Sequence, residues 1–400
     1  MSWPLVCIGD CVEKVASWNP LKSESQTPFF YIDLSSVDKD KKAVDRNGVS
    51  KVLPNDAPSR ARQIVKSGDV LVATVRPNLN GVALVPEEYE GATASTGYCV
   101  LRSEGNRLDS KYLYYWVQTR VFVTDMMEKA TGANYPAVSD KIIKESKIPL
   151  PPLTEQKRIA AILDKADAIR RKCQQAIQLA NEFLRAVFLD MFGDPETKGW
   201  KFTTVENMAA KCKGSMRTGP FGSDLKHSEF INEGILVLGI DNAVSNKFRR
   251  GKERFISQEK YEQLKRYTVN PGDVLITIMG TCGRCAVVPD DIPLAINTKH
   301  LCCITLDKNQ CIPSFLHSYF LVHPIARRYL GQKAKGAIMD GLNMGMIKEM
   351  PIPIVPINEQ KKYESISVKV AKLIENQYEG NEATRNNFLS ISQKAFSGEL

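Results

Sequence analysis

Four cysteines stand where a metal could be held. Cys282 and Cys285 form a Cys-x-x-Cys pair in the stretch TCGRC, and Cys302 and Cys303 follow on the next apolar run. Two such pairs are the ligand set of a tetrahedral zinc site, but the second pair is adjacent, which makes simultaneous ligation awkward. Cys302 with His323 is the conceivable thiol–imidazole pair for nucleophilic chemistry. The histidines, His227, His300, His317 and His323, all lie in the second half of the chain. Glycine-rich phosphate loops of the G-x-x-x-x-G-K-[ST] and G-x-G-x-x-G kinds are missing from the sequence. So is an Asn/Asp-Pro-Pro-aromatic motif of amino-methyltransferases; the stretch at Asn19 continues Pro20-Leu21-Lys22. The sequence therefore points away from catalysis and towards recognition by polar and basic loops.

The elements that would carry those loops are written twice. Glu155-Gln156-Lys157 returns as Glu359-Gln360-Lys361, each time after a proline-rich run. The offset of 204 also carries Gly68-Asp69-Val70 to Gly272-Asp273-Val274, Gly132-Ala133 to Gly336-Ala337 and Pro149 to Pro353. It slips by one between Val85-Pro86 and Val288-Pro289, and each copy opens near a tryptophan, Trp3 and Trp200. Repeats of this kind define the architecture before any single element does. In the first copy, residues 31–37, 68–75, 81–86 and 98–102 read as strands and 110–128 as an amphipathic helix. In the second, residues 234–240, 272–279, 284–289 and 301–306 read as strands and 313–330 as a helix. On this alignment Cys285 replaces Val82 and Cys302 falls near Cys99, so these thiols alternate with apolar residues and serve as small hydrophobes. None of the histidines has a counterpart in the first copy.

A long helix follows each unit. Thr154 is the expected N-cap of the first, with Glu155 in the first turn, and no proline or glycine intervenes before Phe192. Ile159, Ile162, Ala166, Ile169, Cys173, Ala176, Ala180, Phe183 and Val187 alternate at three and four residues, a coiled-coil seam. The second helix keeps Ile366, Val370 and Leu373, weakens at Gln377, Gly380, Thr384 and Asn387, and recovers at Ile391. The expected fold class is mixed α/β. Units at 1–147 and 195–350 are each followed by a spacer helix, at 148–194 and 351–400. A helix of about 39 residues is a rod of roughly 58 Å, comparable to about 17 base pairs of DNA. Two differing readers on such a rod suit an asymmetric target made of two half-sites. A four-residue insertion near Ala180 is then expected to lengthen the gap by nearly two base pairs.

With these stretches in view, the chain resembles the specificity subunit of type I restriction–modification systems over its whole length. The carriers are IPLPPLTEQKRIAAILDKAD with IPIVPINEQKK, SRARQIVKSGDVLVATVRPNLNGVALVP, YPAVSDKII, GPFGSDL, PGDVLITIMGTCGRCAVVP and the terminal KAFSGEL. The resemblance implies two target-recognition domains on two long antiparallel helices, in a pseudo-two-fold arrangement, and a non-catalytic chain. It implies that the helices bind modification subunits, two of them, which carry S-adenosylmethionine and methylate adenine. Restriction subunits would add ATP- and Mg-dependent translocation and cleavage, and this chain would bind no cofactor itself. Two other readings stay open on sequence alone. One is a specificity chain in a methyltransferase-only or phage-exclusion complex; the other is a coiled-coil scaffold with no DNA role.

Double-stranded DNA is read by Arg, Lys, Asn, Gln, Ser and Thr on loops that reach the major groove. In the first unit, Arg76, Asn78 and Asn80 are the polar tips of one such loop, and Asn134 and Tyr135 of another. Lys39, Lys41, Lys42, Arg60 and Arg62 suit phosphate contacts, which position without reading sequence. In the second unit the candidates are Ser215, Arg217, Thr218, Ser223 and Lys226, then Asn242, Lys247, Arg249 and Arg284. The net charge of +9 agrees with a phosphate-rich partner. Ten cysteines without a leader suggest reduced thiols and the cytoplasm, and no apolar run reaches the ~18 residues of a membrane span.

Overall fold

The computed structural model describes residues 3–24, 26–132, 134–334 and 341–400, apart from the side chains of residues 223, 334 and 378–386. The repeat anchor at Gly336-Ala337 lies outside the described residues, as do the surroundings of the expected seam positions Gly380 and Thr384. The chain forms two compact units, residues 1–175 with 377–400, and residues 176–376. Each is mixed α/β.

The first unit is built on three antiparallel strands, Val70–Ala73 (β1), Val82–Leu84 (β2) and Tyr98–Ser103 (β3), with β1 between the other two. A second sheet joins Ser50–Val52, Phe29–Ile32, Thr93–Ser95 and Ala61–Ile64, the middle pair parallel. Helices Ser110–Trp116 and Arg120–Lys129 cover one face. Residues 110–128 thus form two helices rather than one. Thr119 accepts the Phe122 amide at its Oγ1 and starts the second as an N-cap.

The second unit repeats the plan with Val274–Thr277 (β4), Cys285–Val287 (β5) and Leu301–Ile304 (β6), again antiparallel with the first strand central. Val72 faces Cys99 in one unit and Ile276 faces Cys302 in the other. Cys285 and Cys302 point into one core, and Cys303 points into another on the opposite sheet face. Adjacent strand residues must diverge in this way. Burial raises all three thiols, Cys302 to about 12. The helical stretch 313–330 is split, into Pro313–Val322 and Pro324–Ala334, because Pro324 cannot continue the first helix.

The two long helices run Leu153–Phe192 (α1) and Ile357–Ser397 (α2). α1 begins one residue ahead of Thr154, with the Pro152 carbonyl taking the amides of Glu155 and Gln156, so Thr154 is not the cap. In the first unit Ile159 and Leu163 of α1 share a core with Ala395 and Phe396 near the end of α2. In the second, Ile177, Ala180 and Leu184 of α1 cluster with Ile366, Val370 and Ile374 near the start of α2. Early residues of one helix thus meet late residues of the other, so the pair is antiparallel. The buried line keeps Ile159 and Val370 of the expected seam and departs from it elsewhere. Ile159, Leu163, Ile177 and Phe188 are buried, whereas Ile169 and Phe183 are 54% and 52% exposed; on α2, Leu373 is 63% exposed and Ile374 takes its place. Both helices carry two adjacent apolar lines, and a repeat of three and four fits either.

The doubled Glu-Gln-Lys opening has a physical reason. Gln156 is fully buried; its Oε1 accepts the Asp109 amide at 2.9 Å, and its Nε2 donates to the carbonyls of Arg107 and Pro151. Gln360 does the same with the Ile312 amide and the Gln310 and Val355 carbonyls. Each amide fastens a spacer helix to the start of its unit's helical layer. We predict that Gln156→Ala and Gln360→Ala each lower stability by about 1–3 kcal/mol, the cost of stranding buried partners. Urea titration of the full chain would show this against Gln178→Ala, whose side chain bonds an exposed Glu182.

Candidate nucleic-acid interface

The Gly-Asp-Val turns fix where the loops begin. Gly68 and Gly272 sit at φ +82° and +81°, and their amides donate to the Val85 and Val288 carbonyls. A β-carbon is disfavoured at such φ, which is why both copies use glycine. The aspartate that follows is buried and paired with arginine in both units. Arg102 grips Asp69 with two nitrogens, at 2.9 and 2.7 Å. Arg217 Nη2 lies 2.5 Å from Asp273 Oδ2, while Thr305 Oγ1 donates to the other oxygen. Arg102 is on β3, but Arg217 is on the neighbouring strand Met216–Thr218, so one charge pair is made from two directions.

This corrects the assignment of Arg217, which is 8% exposed and spent on Asp273, Thr305, Gly214 and Thr268. Asn242 is 1% exposed; it takes the Gly239 amide and donates to the Arg249 and Arg250 carbonyls, bracing the loop rather than facing DNA. Asn80 is likewise a fastener, in the left-handed region at φ +46°. It accepts from Lys42 Nζ and donates to the Val117 carbonyl. Lys42 is thus tied to the Asn80 loop by its Nζ, and burial, ahead of nearby charges, lowers its ammonium to about 8.

Two expected loops of the first unit come together. Arg76 stands at φ +50°, a conformation seldom taken by a residue with a β-carbon, and its amide donates to the Pro136 carbonyl at 2.6 Å. Its guanidinium lies over the Tyr135 ring, 4.7 Å from the centroid. Val75 and Thr131 both bridge to Ala137, and the Val138 amide donates to the Thr74 carbonyl, which lays residues 136–138 along the start of the 74–81 loop. Arg76, Asn78, Asn134 and Tyr135 are all exposed there, Tyr135 at 70%. A stacked arginine is pre-aimed and loses less freedom on binding than a free one. Lys39, Lys41 and Arg60 are exposed on other turns, with Lys41 3.4 Å from Asp38; Arg62 is half-buried and donates to the Ala61 carbonyl.

In the second unit, Lys226, Lys247, Arg249 and Arg284 are exposed, Ser215 and Thr218 half-buried, and the Ser223 side chain lies outside the described residues. Arg284 occupies the β4–β5 loop, as the Arg76 loop joins β1 and β2; its amide donates to Thr277 Oγ1. Burial, more than the neighbouring Arg249, lowers the Lys247 ammonium. His323 and His317 are structural. His323 hydrogen-bonds the Phe192 carbonyl and stacks on Tyr319, and His317 lies against the Asn246 and Cys285 carbonyls. The sequence reading overlooked Phe221, 53% exposed, and a cavity of about 450 Å³ beside it that Arg254, Thr298, Lys299 and His300 help to line. The run Thr298-Lys299-His300 between two strands was the available signal.

The model of the type I restriction modification DNA specificity domain matches residues 11–179 and 220–381. The chain belongs to this family. The family match falls once on each copy of the repeat. The chain is 25% identical over 345 residues to the EcoBI specificity subunit of Escherichia coli, covering 78% of this chain and 70% of that one. It is 23% identical over 387 residues to the MjaVIII specificity subunit of Methanocaldococcus jannaschii, covering 93% and 87%. Among solved structures, the S subunit of a type I system from M. genitalium is similar with a TM-score of 0.59 at 16% identity, over 99% of this chain and 96% of that one. A chain from a type I system, solved to explain its assembly and conformational transition, gives 0.57 at 23%, over 100% and 98%. These likenesses carry the fold. The chain is thus a DNA-recognition member of a type I restriction–modification system, with two repeated α/β units and long helices.

Arg76→Ala is expected to weaken specific DNA binding by about 1–3 kcal/mol and relax one base position, without lowering thermal stability. Fluorescence anisotropy against a panel of single-base variants would measure it. Unchanged affinity and unchanged preference at every position would remove Arg76 from the interface.

Proposed function

We propose that this chain reads an asymmetric bipartite DNA target, one half-site per unit, and directs adenine methylation and restriction by partner subunits. The observation that carries the reading is the contrast between framework and loops. Both units share the buried glutamine clamp and the glycine–aspartate turn. They differ where side chains face solvent: Arg76, Asn78, Asn134 and Tyr135 in one, Lys226, Lys247, Arg249 and Arg284 in the other. One scaffold with two sets of tips suits two different half-sites. Lys39, Lys41 and Arg60 would bind phosphates, with Arg62, Ser215, Thr218 and Ser223 at the margins of the contact. Arg217, Asn242 and Asn80 would support loops without touching DNA.

In this reading the chain performs no catalysis and works in the cytoplasm. Two modification subunits supply S-adenosylmethionine, and restriction subunits supply ATP- and Mg-dependent steps. The exposed apolar line on the helices, Ile169, Leu179, Phe183, Val368 and Leu373, would be covered by the modification subunits. Among the described residues no helix is long and apolar enough to cross a membrane. The test is binding of the complex with its modification partner to duplex DNA at rising salt. Phosphate contacts require log affinity to fall steeply and linearly with log salt. Salt-independent or absent binding would favour a scaffold.

A further inference from the structure

The cavity in the second unit has the composition of a nucleotide site. Pro220, Leu225 and Ile240 give its lining an apolar part, as ligand cavities have. Lys299 and Arg254 place positive charge on its lining, and Arg254 is held there by the Asp241 carboxylate. Two polar atoms at the site are buried without a hydrogen-bond partner among the described residues: Thr298 Oγ1 and Arg254 Nε. Such atoms cost free energy unless something fills their bonds; both are closed to solvent as they stand, and a base edge can fill them once the Thr298 and Arg254 side chains turn toward the cavity. The wall is fixed in place. A β-carbon on Gly219 would meet the Asn297 carbonyl oxygen at 1.9 Å, so only glycine lets this loop seat on residues 297–298.

Next in sequence to this lining is an exposed aromatic side chain. Phe221, between the lining residues Pro220 and Gly222, leaves 53% of its surface to solvent. Gly222 turns the chain back at φ +52°. Exposed apolar side chains on DNA-binding surfaces enter between base steps, and an extruded base is held by stacking and edge hydrogen bonds. We propose that this cavity receives one nucleotide extruded from the second half-site, with Phe221 filling the gap left in the stack. Thr298 Oγ1 and Arg254 Nε bond the base edge, and Lys299 meets its phosphate. The proposal rests on the DNA-reading role above and deepens it.

The test uses the full chain in complex with its modification partner, on duplexes in which 2-aminopurine replaces each base of the second half-site in turn. Salt-dependent specific binding of the unlabelled duplex is measured first; its absence would overturn the DNA-reading role and this proposal with it. Given binding, the expected result is a several-fold fluorescence rise at one position that is not the methylated adenine. That rise is lost in Phe221→Ala and reduced in Thr298→Val, while both variants keep the wild-type melting temperature and preferences in the first half-site. No rise outside the methylated position, or a rise indifferent to both substitutions, would overturn the proposal. A cavity that binds free deoxynucleoside monophosphates while every duplex position stays dark would assign it to a soluble nucleotide instead, and would also overturn it.

Discussion

Arg217→Ala is expected to destabilise the second unit by about 3–5 kcal/mol, the cost of leaving one member of a buried ion pair alone. Asp273 is 1% exposed, and Arg217 is its only guanidinium partner among the described residues. Arg217→Met with Asp273→Leu together are expected to recover only part of that loss: an apolar pair removes both desolvation costs but leaves the Asn270 amide, the Thr305 hydroxyl and the Thr268 carbonyl without these partners. Denaturant titration of the full chain reads both. The result that would return Arg217 to the DNA surface is a variant that melts as wild type yet loses recognition of the second half-site. Arg76→Ala is the converse case, with the effect in binding and none in folding.

The second large effect is on target geometry. Four residues lengthen a helix by ~6 Å, close to two base pairs of rise. An insertion near Ala180 in α1 alone falls within the cluster of Ile177, Leu184, Ile366, Val370 and Ile374 and would shift one helix against the other. Matched insertions, after Lys172 in α1 and after Asn376 in α2, add length to both. The expected product keeps both half-sites and widens the gap by nearly two base pairs. The one-sided insertion is expected to lose activity through misregister. Retained activity with an unchanged gap after matched insertions would mean that the helices do not set the spacing.

Much of the scaffold was legible because it depends on residue types that have few substitutes. Gln156 and Gln360 must offer one acceptor and two donors at a fixed distance from a proline run, and Gly68 and Gly272 must accept positive φ. Those demands leave a repeat visible at wide spacing. The failures have the opposite cause. Arg217 reads as a loop arginine because its partner, Asp273, is distant in sequence, and its counterpart in the first unit, Arg102, comes from another strand. Asn80 and Asn242 look like readers because the amide that caps a loop internally is the same amide that could bond a base. The expected seam on α1 holds at Ile159 and then runs one residue early, at Ile162, Ala176 and Phe183 instead of Leu163, Ile177 and Leu184, because the two apolar lines lie side by side and the choice between them is made by packing against α2. The meeting of Arg76 with Tyr135 was not legible, since it needs the bridges of Val75 and Thr131 to Ala137.

The central claim, that two unlike readers on one frame recognise two unlike half-sites, is tested most directly by a methylome. The chain would be expressed with its modification partner in a host free of adenine methylation, and modified adenines mapped by long-read sequencing. The account predicts one asymmetric motif, two defined half-sites separated by unspecified bases, with Arg76→Ala relaxing a position in one half only. A palindromic or ungapped motif would contradict it, as would a stable complex that modifies no defined sequence.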